Sequence, residues 1–302
     1  MLDLVGSEHA HTLLRQSVHY CVKGEEVAKK YYGDLAQVLA GVLERHHLNE
    51  RELGERDAED AWVGELSATL FQATPEQAAD AVGGALASGY SRAVISEAIS
   101  LTANQLMLRD AGRPPEQAQA NKPVGSVHGD SIGVHASDAA NAWRHIASVS
   151  DARNAAASLV LAGWHVASDR TARGRRFLEW QPRPLPEPLA KVTTRDPERL
   201  LAELDGAIRE RDQERACAVA HQYLAAGHES RPVFDLMLRF ATSEDGALHA
   251  EKYYFTVCDE FARTRPAFRN RQLVALARVT ASEFGTHAPG YEQACQLLGC
   301  EA

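Results

Sequence analysis

Apolar residues recur every three to four positions through almost the whole chain, and no stretch alternates apolar and polar as a half-buried strand must. That periodicity restricts the chain to helices. "EHAHTLLRQSVHYCVK" places His11, Leu14, Val18 and Cys21 on one stripe, with Gly24 as its predicted stop. A second helix through "EEVAKKYYGDLAQVLAGVLERHH" and a third in "DAEDAWVGELSATLF" follow. In "TPEQAADAV", Thr74, Pro75 and Gln77 occupy the N-cap, first-turn proline and capping-box positions. "SRAVISEAISLTANQLMLRD" has the apolar content of a central helix, and Ser137 and Ser150 are predicted caps of two further helices.

Two interruptions organise the chain. Residues 111–136 lack periodicity and form a predicted long loop, longer than the ~12–15 residues usual inside a compact domain. Residues 171–192, within "RTARGRRFLEWQPRPLPEPLAKV", form a proline- and arginine-rich connector between an N-terminal helical region, 1–170, and a C-terminal one, 193–302. The C-terminal helices are joined by short turns, which favours antiparallel neighbours. The expectation is an all-α protein, a multi-helix bundle or stacked antiparallel helix pairs around one extended core.

Composition narrows the function. A net charge of −9 argues against a nucleic-acid surface as the main business. No apolar run approaches the ~20 residues that span a bilayer. "MLDLVGSEHAHTLL" lacks the basic start and apolar core of a signal peptide, so the expected compartment is cytoplasmic. Five scattered cysteines never form a CxxC pair and read as reduced packing residues. No phosphate loop, dinucleotide fingerprint, serine elbow or HExxH motif is present.

What remains is histidine, thirteen in all. His128 and His135 flank "GDSIG" in the predicted loop, and His11 lies on the apolar stripe of the first helix, where an imidazole needs a buried partner or a metal. His249 and Lys252 in "LHAEKYY" stand three apart on one helix side, with His249 in the first turn. Glu97, inside "VISEAISL", is the carboxylate whose apolar setting points to a buried polar role. His46 and His47 suit a helix C-terminus, and His165 and His221 read as packing residues. Imidazoles gathered from separate helices are a normal way for an all-α protein to hold iron, zinc or manganese.

"HASDAANAWR", His135 to Arg144, resembles the H-x-x-T-x-x-x-A-L-R motif of the questin oxidase-like family, with Asp138 in place of threonine and Trp143 in place of leucine. "HAEK", His249 to Lys252, resembles that family's late H-A-x-K motif, and "AHTLL" its early histidine-rich helix. Glu97 stands where the family has a further histidine motif. The resemblance implies a helical oxygenase acting on polyketide-derived aromatic rings by Baeyer–Villiger-type or ring-cleaving oxidation, with His135, His249 and Lys252 in the site.

The expectation drawn from these residues is a non-haem metal-dependent oxidoreductase. His11, His128, His135 and His249 are its candidate ligands for a divalent metal, iron before manganese or zinc. Lys252 and Glu97 are its candidate catalytic groups, and a small aromatic molecule and dioxygen its partners. It demands that side chains from distant segments converge within ~2.0–2.3 Å of one ion. Two alternatives stand beside it, a non-catalytic helical scaffold that binds a partner protein and a family member that has lost its metal.

Overall fold

The computed structural model describes residues 6–120, 122–127, 131–171, 176–245 and 249–300, with backbone alone at 26–29, 31 and 32. Among these it contains fourteen α-helices and no strand. In chain order they are α1 (Ala10–Tyr32), α2 (Leu35–Arg45), α3 (Asp60–Gln72), α4 (Pro75–Ala87), α5 (Arg92–Arg109), α6 (Ile132–Val149) and α7 (Ala152–Thr171). Then come α8 (Pro186–Lys191), α9 (Pro197–Arg209), α10 (Gln213–Ala225), α11 (Arg231–Ser243), α12 (His249–Arg263), α13 (Pro266–Glu283) and α14 (Tyr291–Leu298). The all-α expectation holds.

Local chemistry sets several boundaries, the first of them as the sequence predicts. Thr74 accepts from Gln77 N while Gln77 Oε1 accepts from Thr74 N, a complete capping box on α4. Asp196 and Asp212 cap α9 and α10 through Arg199 N and Arg215 N. Other boundaries move. Gly24 does not stop the first helix, which continues to Tyr32 and ends at Gly33. The cap of α7 is Asp151, whose Oδ1 accepts from Asn154 N, while Ser150 ends α6.

The core of the described residues has two large parts and a small third of Val63, Val94, Ala98 and Leu101 between α3 and α5. Of the large parts, one joins α2 to α7 and includes Phe177 from the connector; the other joins α9 to α13 and takes in Met107, Leu108, Val127 and Val134. Two helices are buried on every side. On α5 every residue from Val94 to Asn104 is buried, and on α13 every residue from Gln272 to Glu283. Their polar side chains bond one another: Asn104 Nδ2 donates to Gln272 Oε1 at 3.2 Å, and Gln272 Nε2 to Ser100 Oγ at 3.1 Å.

The C-terminus of α5 is buried too, so its last carbonyls need protein donors. Arg278, 1 % exposed on α13, donates to Met107 O at 2.6 Å and also reaches Asp110 O. Burial pushes its guanidinium down to about 10. From the connector, Arg183 donates to Asp110 O at 3.1 Å, and its backbone N–H to Leu108 O at 2.8 Å. The connector is thus docked on the end of α5, where its arginine serves the carbonyls.

The predicted loop of 111–136 is shorter than its sequence suggests. α6 begins at Ile132, so His135 sits in its first turn rather than in the loop, and Ser137 lies inside the helix, donating to Gly133 O at 2.9 Å. The cause is packing: Ile132, Val134 and Ala136 are buried, and Gly133 rests against the backbone of α5. A Cβ at Gly133 would stand 2.6 Å from Met107 Cα and 2.7 Å from Met107 N. Gly133→Ala must therefore separate α5 from α6, and is expected to lower stability by about 1–3 kcal/mol in a denaturant titration.

Candidate functional site

α6 and α12 pack side by side in the same direction and share a polar seam in nearly constant register. The side chains that meet are separated by 114 to 119 residues along its whole length. At the N-terminal end the rings of His135 and His249 meet edge to face, centroids 5.0 Å apart and planes at 84°. One turn on, buried Asp138 lies 2.9 Å from Lys252 Nζ through Oδ2 and accepts from Thr256 Oγ1 at 2.7 Å through Oδ1. Asn141 Nδ2 then donates to Asp259 Oδ2 at 2.8 Å and to Glu260 Oε1 at 2.9 Å.

Arg144 forms a fork with Glu260, Nε to Oε1 at 3.0 Å and Nη2 to Oε2 at 2.6 Å, with side chains only 9 % and 2 % exposed. His145 Nε2 stands 3.0 Å from Asp259 Oδ2, and Arg263 Nε donates to Asp259 Oδ1 at 2.9 Å. Burial raises the Asp259 pKa, but the bonds from Asn141 and Arg263 and the charges of Arg263 and His145 outweigh it and hold the carboxyl below its ordinary value.

The seam explains the spacing of both motifs. His135, Asp138, Asn141 and His145 recur at three or four residues on α6, as His249, Lys252, Thr256, Asp259 and Arg263 do on α12, so each set lies along one helix face. The two short motifs that the sequence singled out are therefore the facing halves of one surface. His135 is exposed and His249 half-buried, so the imidazole end of the seam opens to solvent while the Arg144–Glu260 fork is sealed.

The other candidates are placed differently. His11 is exposed on α1, a helix with no buried side chain from Ala10 to Glu25. Glu97 is buried, and it is engaged by Arg265 ahead of α13: Arg265 N donates to Oε1 at 2.8 Å and Nε to Oε2 at 3.0 Å. The same guanidinium reaches Ala58 O and Asp60 Oδ1, each at 2.9 Å, so Glu97 ties α3, α5 and the start of α13 together. His128 lies outside the described residues. Lys252 is half exposed, and its ammonium is paired with Asp138. Among the described residues no group of three or more His, Cys, Asp or Glu side chains is arranged to hold a metal ion.

One residue read from sequence as packing gains a place beside the seam. Trp143 Nε1–H donates to His165 Nδ1 at 3.3 Å, which leaves the proton of neutral His165 on Nε2, 3.7 Å from Asp169 Oδ2. No motif marks His165, because its proximity arises from the packing of α7 against α6. Burial, followed by the nearby charge of His135, pushes its pKa down. Family models, curated proteins and solved structures offer no match to this chain.

Two outcomes follow from the seam. Arg144→Leu leaves Glu260 buried without its partner and is expected to cost about 3–5 kcal/mol of stability, whereas Arg144→Leu with Glu260→Leu recovers most of that loss. Urea unfolding of the three proteins checks it. The folded chain also keeps His165, and His221 likewise through burial, below the ordinary 6.5. The unfolded chain then binds more protons, so stability falls as pH drops below about 6.5. Urea midpoints between about pH 7 and pH 5 are expected to decline, with a shallower slope in His165→Gln and His221→Gln.

Proposed function

We propose that this chain is a non-haem oxidoreductase of small aromatic, polyketide-like molecules, with a divalent metal held at the open end of the α6–α12 seam and dioxygen as oxidant. The observation that carries this reading is the meeting of His135 and His249, centroids 5.0 Å apart, from helices distant in sequence. Two imidazoles bound to one tetrahedral ion through nitrogens at ~2.0–2.1 Å have centroids roughly 5 Å apart, and that agreement in distance is what supports the reading. His128 is, by its sequence position, the candidate third ligand. Iron is the first choice, manganese or zinc the next. His11 and Glu97 have no part in this reading.

When bound, the metal supplies Lewis-acid stabilisation of a substrate enolate or phenolate and a site for dioxygen. The protein's own groups do the rest. His135 and His249 are held at fixed height by the buried contacts that follow them in register. Lys252, anchored by Asp138, sets a positive charge one helical turn from the imidazoles, where it attracts an anionic ring oxygen. Of the oxidations open to such a site, ring cleavage that incorporates both atoms of dioxygen needs no external reductant.

A second reading, a partner-binding helical scaffold, is favoured by α1, where Leu14, Val18 and Val22 are all more than half exposed. Elemental mass spectrometry of untagged protein separates the two. Reconstitution with iron(II), manganese(II) or zinc(II) is expected to give close to one ion per chain in wild type and about tenfold less in both His135→Ala and His249→Ala. Wild type that holds no metal after reconstitution, or variants that hold as much as wild type, would overturn the metal reading.

A further inference from the structure

At the far end of the same seam, thirteen residues and roughly 20 Å along α6 from His135, lies a cleft. It has a volume of about 260 Å³, and three arginines from three helices line it: Arg92 on α5, Arg144 on α6 and Arg263 on α12. Glu55, on the segment ahead of α3, stands at its rim, and Ser96 and Ser148 complete its polar lining. The volume suits a molecule smaller than a drug-sized ligand.

Each guanidinium is fixed by one side and leaves donors over. Arg144 spends Nε and Nη2 on Glu260, and Arg263 spends Nε on Asp259. Arg92 directs Nη1 at Ala147 O and Ser150 O, at 3.1 and 3.4 Å, and makes no ion pair with a carboxylate among the described residues. Nη1 of Arg144, both Nη atoms of Arg263, and Nε and Nη2 of Arg92 make no hydrogen bond to the described residues. These are planar donors with the fork geometry that matches a carboxylate. Arg144 is held rigid by burial and the Glu260 fork, so little side-chain freedom is lost when a ligand binds.

We infer that this cleft is a binding site for a small organic carboxylate, distinct from the imidazole end and independent of the metal reading. A purely structural role competes with it. α6 and α12 end here in the same direction, their C-terminal carbonyls carry partial negative charge, and arginine neutralises such ends. That role accounts for Nη1 of Arg92. It does not account for three arginines from three helices lining one cavity. Glu55 opposes an anion by charge, so it acts as a filter that weakens binding and limits how much negative charge the cleft accepts.

Isothermal titration of the full chain with malonate, against chloride at equal ionic strength, tests this. Malonate is expected to bind about tenfold more tightly than chloride in wild type. Arg263→Ala and Arg92→Ala are expected to weaken malonate severalfold, with folding checked by circular dichroism, and Glu55→Gln to tighten it. Glu55 is exposed, so that variant remains informative if an arginine variant unfolds. Equal, weak binding of malonate and chloride would overturn the inference. So would malonate affinity unchanged in the Glu55→Gln and Arg263→Ala proteins, leaving the arginines with the helix-end role alone.

Discussion

The buried fork between Arg144 and Glu260 is the interaction on which this architecture turns. Two charges removed from water are tolerable only when each is met by the other with good geometry and the remaining lone pairs are satisfied. Here the two forked bonds do the first, and Asn141, donating to Glu260 Oε1, helps do the second. Those demands admit one register of α6 against α12, since a slip by one residue would carry Arg144 away from its carboxylate. Everything else along the seam inherits that register: Asp138 beside Lys252 and Thr256, Asp259 between Asn141 and Arg263, and the two imidazoles at the open end.

The same helix pair joins the two large parts of the core. α6 contributes Ile132, Ala136 and Ala140 to the first part and Val134 to the second, while α12 contributes Tyr253 and Val257 to the second. Behind it, the central stretches of α5 and α13 are buried all round, and Asn104, Gln272 and Ser100 bond one another across them. Arg278 and Arg183 close the carbonyl end of α5 from two directions, which makes the proline-rich connector part of the fold. The seam thus has a rigid backing and two accessible ends, one carrying imidazoles and one carrying guanidiniums.

Much of this is legible in the sequence. The 3.6-residue period gives the fold class, and Thr74 with Gln77 marks the start of a helix by the hydrogen bonds those side chains make. His135, and His249 with Lys252, stand out by residue type and spacing, and the motifs around them by the family resemblance. The misplacements have physical causes. The long loop predicted over 111–136 ends early because Gly133, lacking a side chain, lets α6 approach the backbone of α5. Gly24 looked like a stop, yet the helix passes through it. The apolar setting of Glu97 predicts a buried polar role, and its partner is Arg265, 168 residues away.

Sequence by itself determined that this chain is helical, where most of its helices lie, and which side chains carry unusual chemistry, because periodicity and capping are local properties. It could not determine which of those side chains meet. The pairing of His135 with His249, the sealing of Arg144 against Glu260, the isolation of His11 on α1 and the gathering of three arginines in one cleft all depend on the relative register of helices far apart in the chain. Register is decided by close packing and by the need to satisfy buried charge, and both come into being only when the helices are brought together.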